Sequence, residues 1–569
     1  MKNQIKPKNQ LYYGDNLEIL RKFVRDESVD LCYIDPPFNS KRNYNQIYNN
    51  IGKEDTAQSQ AFVDTWTWDD AADIGFSEII ENKSGLMTRQ SVNLIFMLEK
   101  VLGKGSMLAY LVSMTNRIAE IYRVLKPTGS FYLHCDPTAS HYLKLVLDGI
   151  FCARNGEFQN EITWKRSSGH SLSKGMDNIT DTIFFYTKSK KFYVNYTKKL
   201  SGKELNEKFP HIEKETDRKY NHYSLEHSSN EYNKDEIRII QGKEIITNLG
   251  WKWTQKTFDK RLAENPYLIY WTKNGKPRYK LYADEYAGQK INNLWDDIIP
   301  LTSQAKERLK FPTQKPEALL ERIILASSNE GDTVLDAYCG CGTTVAVAEK
   351  LNRNWIGIDI SYQQVALILK RLEDTFGQDF TTVTDSKELT SKKLTVSGVP
   401  QDMAAAIELA NRKDDRLRKE FEKWVVLTYS NNRAIINDKK GGDGGIDGLA
   451  YISDLDDKGK MIFPEILFSV KSSKNLSPTV IRDLYGTVGR ENAAVGILIT
   501  LYSMENLVKE AKKYGTYRNT LLGKTFDKIQ VVTVEEILQG ERLKLPAVKE
   551  VLKKAERKSK DSQLAVDYS

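Results

Sequence analysis

The sequence predicts an α/β protein, a parallel sheet with helical crossovers followed by a smaller α/β unit near the C-terminus. Apolar runs of strand length alternate with helically spaced segments over residues 11–35, and again over 319–359. Two of those runs stop at an aspartate followed by residues that cannot continue a ladder, Pro36-Pro37 after Asp35 and a small-residue turn after Asp336. The chain's 569 residues also exceed one core, and ~100–200 residues per domain gives about three units.

Composition sets wide bounds. A 40% hydrophobic and 28% charged fraction belongs to a soluble globular protein. No uninterrupted run of ~18 apolar residues predicts a membrane span, and Met1 to Lys6 lacks the apolar core of a secretory signal. Five cysteines (Cys32, Cys135, Cys152, Cys339, Cys341) are sparse, odd in number and mostly inside strand-like runs, which points to a reducing, cytoplasmic setting. The net charge of +8 suits a polyanionic partner without requiring one.

In chain order, Leu11 to Asn16 reads as a short strand ending in a Gly-Asp turn, and Leu17 to Leu20 has helical spacing. Val29 to Ile34 is a buried strand ending at Asp35-Pro36-Pro37-Phe38. A carboxylate, proline-stiffened carbonyls and a flat ring at a strand's C-terminal edge would clamp a planar group bearing an amine. A solvated strand end with a Pro-Pro turn would look the same. Tyr44 to Phe76 is polar and interrupted, and is expected to be a long loop or lid. Helices are expected over 91–102 and 108–125, and a strand over 130–134. His134 and Cys135 have no further ligand at metal spacing, so they read as a strand end. Strands follow at 158–166 and 182–186, with a basic Ser/Gly-rich loop, 167–175, between them. Residues 190–300 are rich in Lys, Tyr, Asn and Trp without a long helical period. That mixture suits phosphate contacts with stacking, and equally a solvated insertion.

Order returns with Phe311 to Pro316, an amphipathic helix through Leu319 to Ile324, and a strand ending at Asp336. Ala337-Tyr338-Cys339-Gly340-Cys341-Gly342-Thr343-Thr344 then opens a helix, and a second strand ends at Asp359. Glycines let the backbone approach a ligand, and an acid at the end of the second strand can accept two ribose hydroxyls. Asp336 at the mouth of the turn would repel a pyrophosphate but suits an amine or a sulfonium. S-adenosylmethionine meets both requirements. A Cys339/Cys341 metal site is the weaker reading, for want of partner ligands.

Together, Asp35-Pro36-Pro37-Phe38, Thr313-Gln314-Lys315-Pro316, Asp336 to Thr344 and Gly357-Ile358-Asp359-Ile360-Ser361 resemble the motifs of the β-class amino-group DNA methyltransferases, in that class's order. The resemblance covers residues 10–375. It implies a Rossmann-like, S-adenosylmethionine-dependent methyltransferase fold with an inserted target-recognition region, acting on double-stranded DNA and not on a membrane. A homodimer is compatible with it. By resemblance, Asp35 and the Pro36 carbonyl accept hydrogen bonds from the target amine, Pro37 stiffens the turn, and Phe38 stacks on a flipped base. Asp15 reaches the cofactor's adenine amine, Lys315 and Pro316 line the cofactor pocket, and Asp336, Ala337, Tyr338, Cys339, Gly340, Gly342, Thr343 and Asp359 form it. No Pro-Cys pair supports cytosine C5 chemistry. Asp rather than Ser before the prolines favours adenine N6 over cytosine N4.

Residues 376–400 read as a polar linker. A helix over 417–427, a Gly-rich turn through Asp447 and a strand from Glu465 to Lys471 resemble the PD-(D/E)xK nucleases, closest to Mrr-like restriction endonucleases. In that family an Asp and a second acid hold Mg2+ while a strand Lys orients water. Asp447 and Lys471 match, but Ser469 stands where the second acid belongs. Glu465 shares the strand face but lies about 13 Å back along it. Glu422 on the preceding helix is the better substitute, making Asp447 and Glu422 the expected metal ligands. An inactive fold that only binds DNA is the alternative. The expected boundaries are methyltransferase 1–189 and 301–375, recognition insertion 190–300, linker 376–400, nuclease-like domain 401–555 and flexible tail 556–569.

Overall fold

The computed structural model describes residues 9–37, 43–50, 53–63, 66–167, 176–198, 200, 202–228, 236–302, 305–309, 311, 313–385, 388–412, 415–437 and 445–545. Phe38, the basic loop 168–175, part of the Gly-rich turn (438–444) and the tail 556–569 lie outside the described residues. The described chain forms two compact units, 1–194 with 293–569, and 195–292.

The larger unit is built on an eleven-stranded sheet. In chain order its strands are β1 (Asn9–Tyr13), β2 (Val29–Ile34), β3 (Leu125–Cys135), β4 (Glu157–Lys165), β5 (Thr180–Thr187), β6 (Leu294–Trp295), β7 (Thr333–Asp336), β8 (Asn354–Asp359), β9 (Val383–Asp385), β10 (Glu388–Thr390) and β11 (Leu394–Ser397). Their spatial order is β6-β4-β5-β3-β2-β7-β8-β1-β11-β10-β9. The centre is parallel, through β3, β2, β7, β8 and β1, while β5 runs antiparallel between β3 and β4. Fully buried runs such as Leu31-Cys32-Tyr33-Ile34 are what a sheet covered on both faces requires.

Helices α1 (Asn16–Phe23), α2 (Asp70–Glu81), α3 (Arg89–Leu102), α4 (Ser106–Val124), α5 (Ser140–Ile150), α6 (Glu317–Ser327), α7 (Thr343–Lys350) and α8 (Tyr362–Phe376) flank this sheet. Leu108, Leu111, Val112 and Ile118 of α4 join Ile34, Leu133 and Leu335 in one buried core. The expected loop over 44–76 is instead an antiparallel hairpin, Asn43–Asn50 with Lys53–Val63, followed by α2. Its polarity suits a strand pair as well as a loop, because backbone pairing needs no apolar side chains. Trp66 and Trp68 pack against the core, Trp66 edge-on to Tyr110.

The stretch read as a linker also carries structure. Leu394 and Val396 are buried, and β11 pairs in parallel with β1. Gly398, at φ +86°, lets the chain pass where a Cβ would stand 2.0 Å from the Tyr13 carbonyl oxygen. Local polarity marks no boundary here, because only alternate residues of this strand, Leu394 and Val396, face the core.

The smaller unit falls inside the expected insertion. It holds a four-stranded antiparallel sheet, Ile269–Trp271, Pro277–Tyr282, Lys219–Ser224 and His211–Ile212, and a ten-residue helix, Gln255–Glu264. Phe258 of that helix packs on Leu225, Ile240, Trp251 and Ile269.

Past α9 (Met403–Ala410) and α10 (Asp415–Tyr429), a five-stranded sheet runs β12 (Ile435–Ile436), β13 (Gly448–Tyr451), β14 (Glu465–Lys471), β15 (Val495–Thr500) and β16 (Ile529–Thr533), in that order. The first three are antiparallel and the last three parallel. Among the described residues, no helix is long and apolar enough to cross a membrane.

Candidate active sites

The chain leaves β2 towards β3 on one side and leaves β7 towards β8 on the other. The crevice between β2 and β7 is therefore a topological switch point, the usual ligand site of an open α/β sheet. Leu31 and Cys32 register with Val334 and Leu335, so Asp336 and the Asp35 turn emerge side by side.

Asp336 is 3% exposed and accepts from the Tyr338 N–H at 3.0 Å. Burial, with Asp35 adding to it, pushes its carboxyl up to about 7. Asp359 accepts from the Gly340 N–H at 2.7 Å and the Ser361 N–H at 2.9 Å, which closes the glycine turn onto the end of β8. It too is pushed up to about 7, first by burial and then by Asp336 and Glu420. Two carboxyls held near neutrality by burial are primed for a cation and for hydroxyl donors. Gly342 sits at φ +74°, and a Cβ there would lie 2.7 Å from Ile368 Cγ1. Gly342→Ala should therefore destabilise the chain by about 1–3 kcal/mol, read as a lower denaturation midpoint with an unchanged m-value.

Asp35 follows β2, and one of its oxygens, Oδ2, pairs with Lys315 Nζ. The other, Oδ1, is buried and has no hydrogen-bond partner among the described residues. A buried carboxylate oxygen left open is costly unless something donates to it. Pro36 is buried behind it and Pro37 half-buried. Beneath the turn, Tyr33 Oη and His134 Nδ1 are 2.9 Å apart, and His134 Nε2 and Asp181 Oδ2 are 3.1 Å apart. Burial alone would raise Asp181, but the hydrogen bond from His134 and the nearby charges of Lys315 and Arg166 hold it below its ordinary value. His134 thus stands at the strand end, as expected, and belongs to a buried chain of polar groups there.

Asp15 caps α1, accepting from the Leu17 N–H at 2.9 Å and the Glu18 N–H at 3.2 Å, and pairs with Arg117 at 2.7 Å. Asn16 donates to the Ala337 carbonyl at 2.8 Å and so ties the Gly-Asp turn to the glycine turn. Arg371 donates to the Cys341 carbonyl and Thr343 Oγ1, both at 3.2 Å. Cys339 and Cys341 are buried, burial pushes both thiols up, and neither is disulfide-bonded. Pro316 precedes α6 as its N-cap. The roles of Asn16, Arg117, Arg371 and Asp181, and the hydrogen bonds of His134, were not visible in the sequence because the partners lie from 28 to 321 positions away. Only Asn16, next to a Gly-Asp turn, carried any local hint.

The C-terminal cluster is separate. Asp447 Oδ2 accepts from the Val470 N–H at 2.7 Å, which seats it against β14 one residue before Lys471. Glu422 on α10 is pushed up to about 7, first by burial and then by Asp447, with Lys471 opposing. An acid raised by a second acid, with a lysine beside them, fits a divalent cation held by two carboxylates and water. Ser469 is buried on β14 and Glu465 stands at the strand's far end. Among the described residues, no group of three or more His, Cys, Asp or Glu gathers as a metal cage.

A family model described as DNA methylase matches residues 29–370, and one described as restriction endonuclease matches residues 417–537. The Type II methyltransferase M.EcaI of Enterobacter cloacae is 30% identical over 268 residues, 46% of this chain and 57% of its own length. The StyLTI Mod subunit of a Type III restriction-modification enzyme, from Salmonella typhimurium, is 28% identical over 367 residues, 60% of this chain and 50% of its own length. The DNA adenine methyltransferase YhdJ of Escherichia coli is 27% identical over 366 residues, 64% of this chain and 82% of its own length. The chain thus spans about half the length of the first two relatives.

Proposed function

Because the chain belongs to the N6/N4 DNA methylase family and carries a restriction-endonuclease segment behind it, we propose that it transfers methyl groups from S-adenosylmethionine to adenine N6 in double-stranded DNA and cleaves DNA lacking that mark. The observation that carries the first half is Asp35. One oxygen is fixed by Lys315 and the other is buried and unpartnered at the switch point, beside Asp336.

An exocyclic base amine is a poor nucleophile because its lone pair is delocalised into the ring. It also lies inside the stack, so the base must be extruded first. Asp35 Oδ1 and the Pro36 carbonyl then accept the two amine hydrogens, which concentrates the lone pair on nitrogen. Lys315 keeps Asp35 from turning away, and Asp336 and Asp359 hold the methionine and ribose ends of the cofactor. S-adenosylmethionine, when bound, would supply the methyl group, its carbon–sulfur bond breaking to leave a neutral thioether while the amine nitrogen sheds one hydrogen as a proton to water. What remains for the protein is alignment and electrostatics. The unit 195–292, with its lysines and stacked rings, is the proposed target-recognition region; His222 stacks on Tyr270 at 4.2 Å.

Asp at position 35, and a relative named as an adenine methyltransferase, support adenine over cytosine N4. DNA from cells expressing the chain should, on sequencing with modified-base detection, carry N6-methyladenine at one short sequence. N4-methylcytosine instead would move the assignment to cytosine, and unmodified DNA would refute the methyltransferase.

Cofactor affinity should also depend on pH. Asp336 and Asp359 hold protons below about 7 and are charged above it. A cationic ligand favours the charged forms, so affinity should rise from pH 5.5 to 7.5 by up to about tenfold per unit for each group, then level off. Calorimetry in buffers of different ionisation enthalpy should record proton release on binding at pH 6. A flat profile would show that neither carboxyl meets the ligand's charge.

A further inference from the structure

The helix that follows Asp359 lacks a cap of its own. Ser361, at the N-cap of α8, makes no side-chain capping bond, and its hydroxyl is buried without a partner. Its N–H goes to Asp359 Oδ1. The next N–H, of Tyr362, donates instead to Glu420 Oε2 at 2.8 Å, in a fully buried hydrogen bond across 58 positions. Glu420 belongs to α10, inside the segment that matches a restriction endonuclease.

The contact is built rather than incidental. Glu420 is 7% exposed, and its second oxygen pairs with Lys423 at 2.9 Å. Thr428, two turns further along α10 (about 12 Å), meets the Tyr362 hydroxyl with oxygens 3.2 Å apart. Tyr362 also packs edge-on against Tyr13 at the end of β1. Two residues beyond Glu420, on the opposite side of the helix, Glu422 looks into the Asp447 cluster. One helix therefore serves as a wall of both candidate sites.

We propose that Glu420 is a positioning residue of the methyltransferase, an N-terminal cap lent by the endonuclease segment that fixes the Ser361–Tyr362 turn and, through it, Asp359. The inference rests on the reading of Asp336 and Asp359 as the cofactor site. An N–H left buried without an acceptor is costly, and here the cost falls on the turn that shapes the ribose acid. The methylase-family match ends at residue 370, so a methylase unit cut there would lack this cap.

The test measures equilibrium binding of S-adenosylhomocysteine to the full chain, in which no transfer occurs. Glu420→Met, apolar and of similar length, should weaken binding by about tenfold. Glu420→Gln, whose amide oxygen still accepts, should stay within about threefold. Tyr362→Phe, which loses the Thr428 contact but keeps the capped N–H, should also stay close to wild type. Amide exchange of the wild-type chain supplies a measurement that needs no variant. Peptides covering 415–429 should gain protection when the ligand binds. Equal affinity for Glu420→Met, or unchanged exchange over 415–429, would overturn the cap. A wild-type chain that binds no ligand would overturn the cofactor reading as well.

Discussion

Asp35→Ala should abolish methyl transfer, by about three orders of magnitude or more, while the chain still binds its cofactor. The carboxylate is the clamp's side-chain acceptor, and its Oδ1 is buried with no hydrogen-bond donor among the described residues. Removing it leaves the amine's lone pair in the ring and breaks the Lys315–Asp35 ion pair, while the Asp336 and Asp359 carboxyls stay in place. Asp35→Asn should fall almost as far, because its amide presents one acceptor and turns a donor towards either Lys315 or the amine. Methyl transfer to DNA from labelled cofactor, alongside equilibrium binding of S-adenosylhomocysteine, separates the two effects. Substantial transfer by Asp35→Ala would refute the clamp.

The second large effect is expected at the other end of the chain. Asp447→Ala and Lys471→Ala should each eliminate Mg2+-dependent cleavage of unmethylated DNA and leave methyl transfer intact. Asp447 is seated by the Val470 N–H and adds to the burial that raises Glu422, so its loss removes one of the two carboxylates that would hold the cation. Wild-type cleavage should increase as pH rises through about 7, because Glu422 must shed its proton before it can hold a cation. A wild-type chain that cuts no DNA with any divalent ion would mark the segment as a binding domain, with Ser469 as the lost acid. Tests of cleavage and of transfer on the same preparation keep the two outcomes distinct.

Several features were legible from the residues alone. The strands ending at Asp35, Asp336 and Asp359, the glycine turn and the Glu465–Lys471 strand all stand where pattern placed them. Each combines a buried apolar run with a residue that must stop it, and both signals are local. The hairpin over 43–63 and the strands over 383–397 were not legible, because short runs rich in polar residues carry no apolar stripe of useful length. The Lys315 assignment shows another limit. A Gln-Lys-Pro motif suggested cofactor lining, and only the fold shows that the same ammonium also pairs with Asp35, 280 positions earlier.

The sequence by itself determined the chemistry on offer: an acid before two prolines, an acid before a glycine turn, and an Asp and Lys in the tail. Covalent neighbours alone create those juxtapositions. Only the tertiary structure decided which groups meet. It placed Asp35 against Asp336 across a strand pair, Lys315 on Asp35, His134 between Tyr33 and Asp181, and Glu420 at the start of the helix behind Asp359. Such contacts form because burying a sheet on both faces forces distant strand ends and helix termini together. Each polar group caught there must then find a partner wherever along the chain one lies.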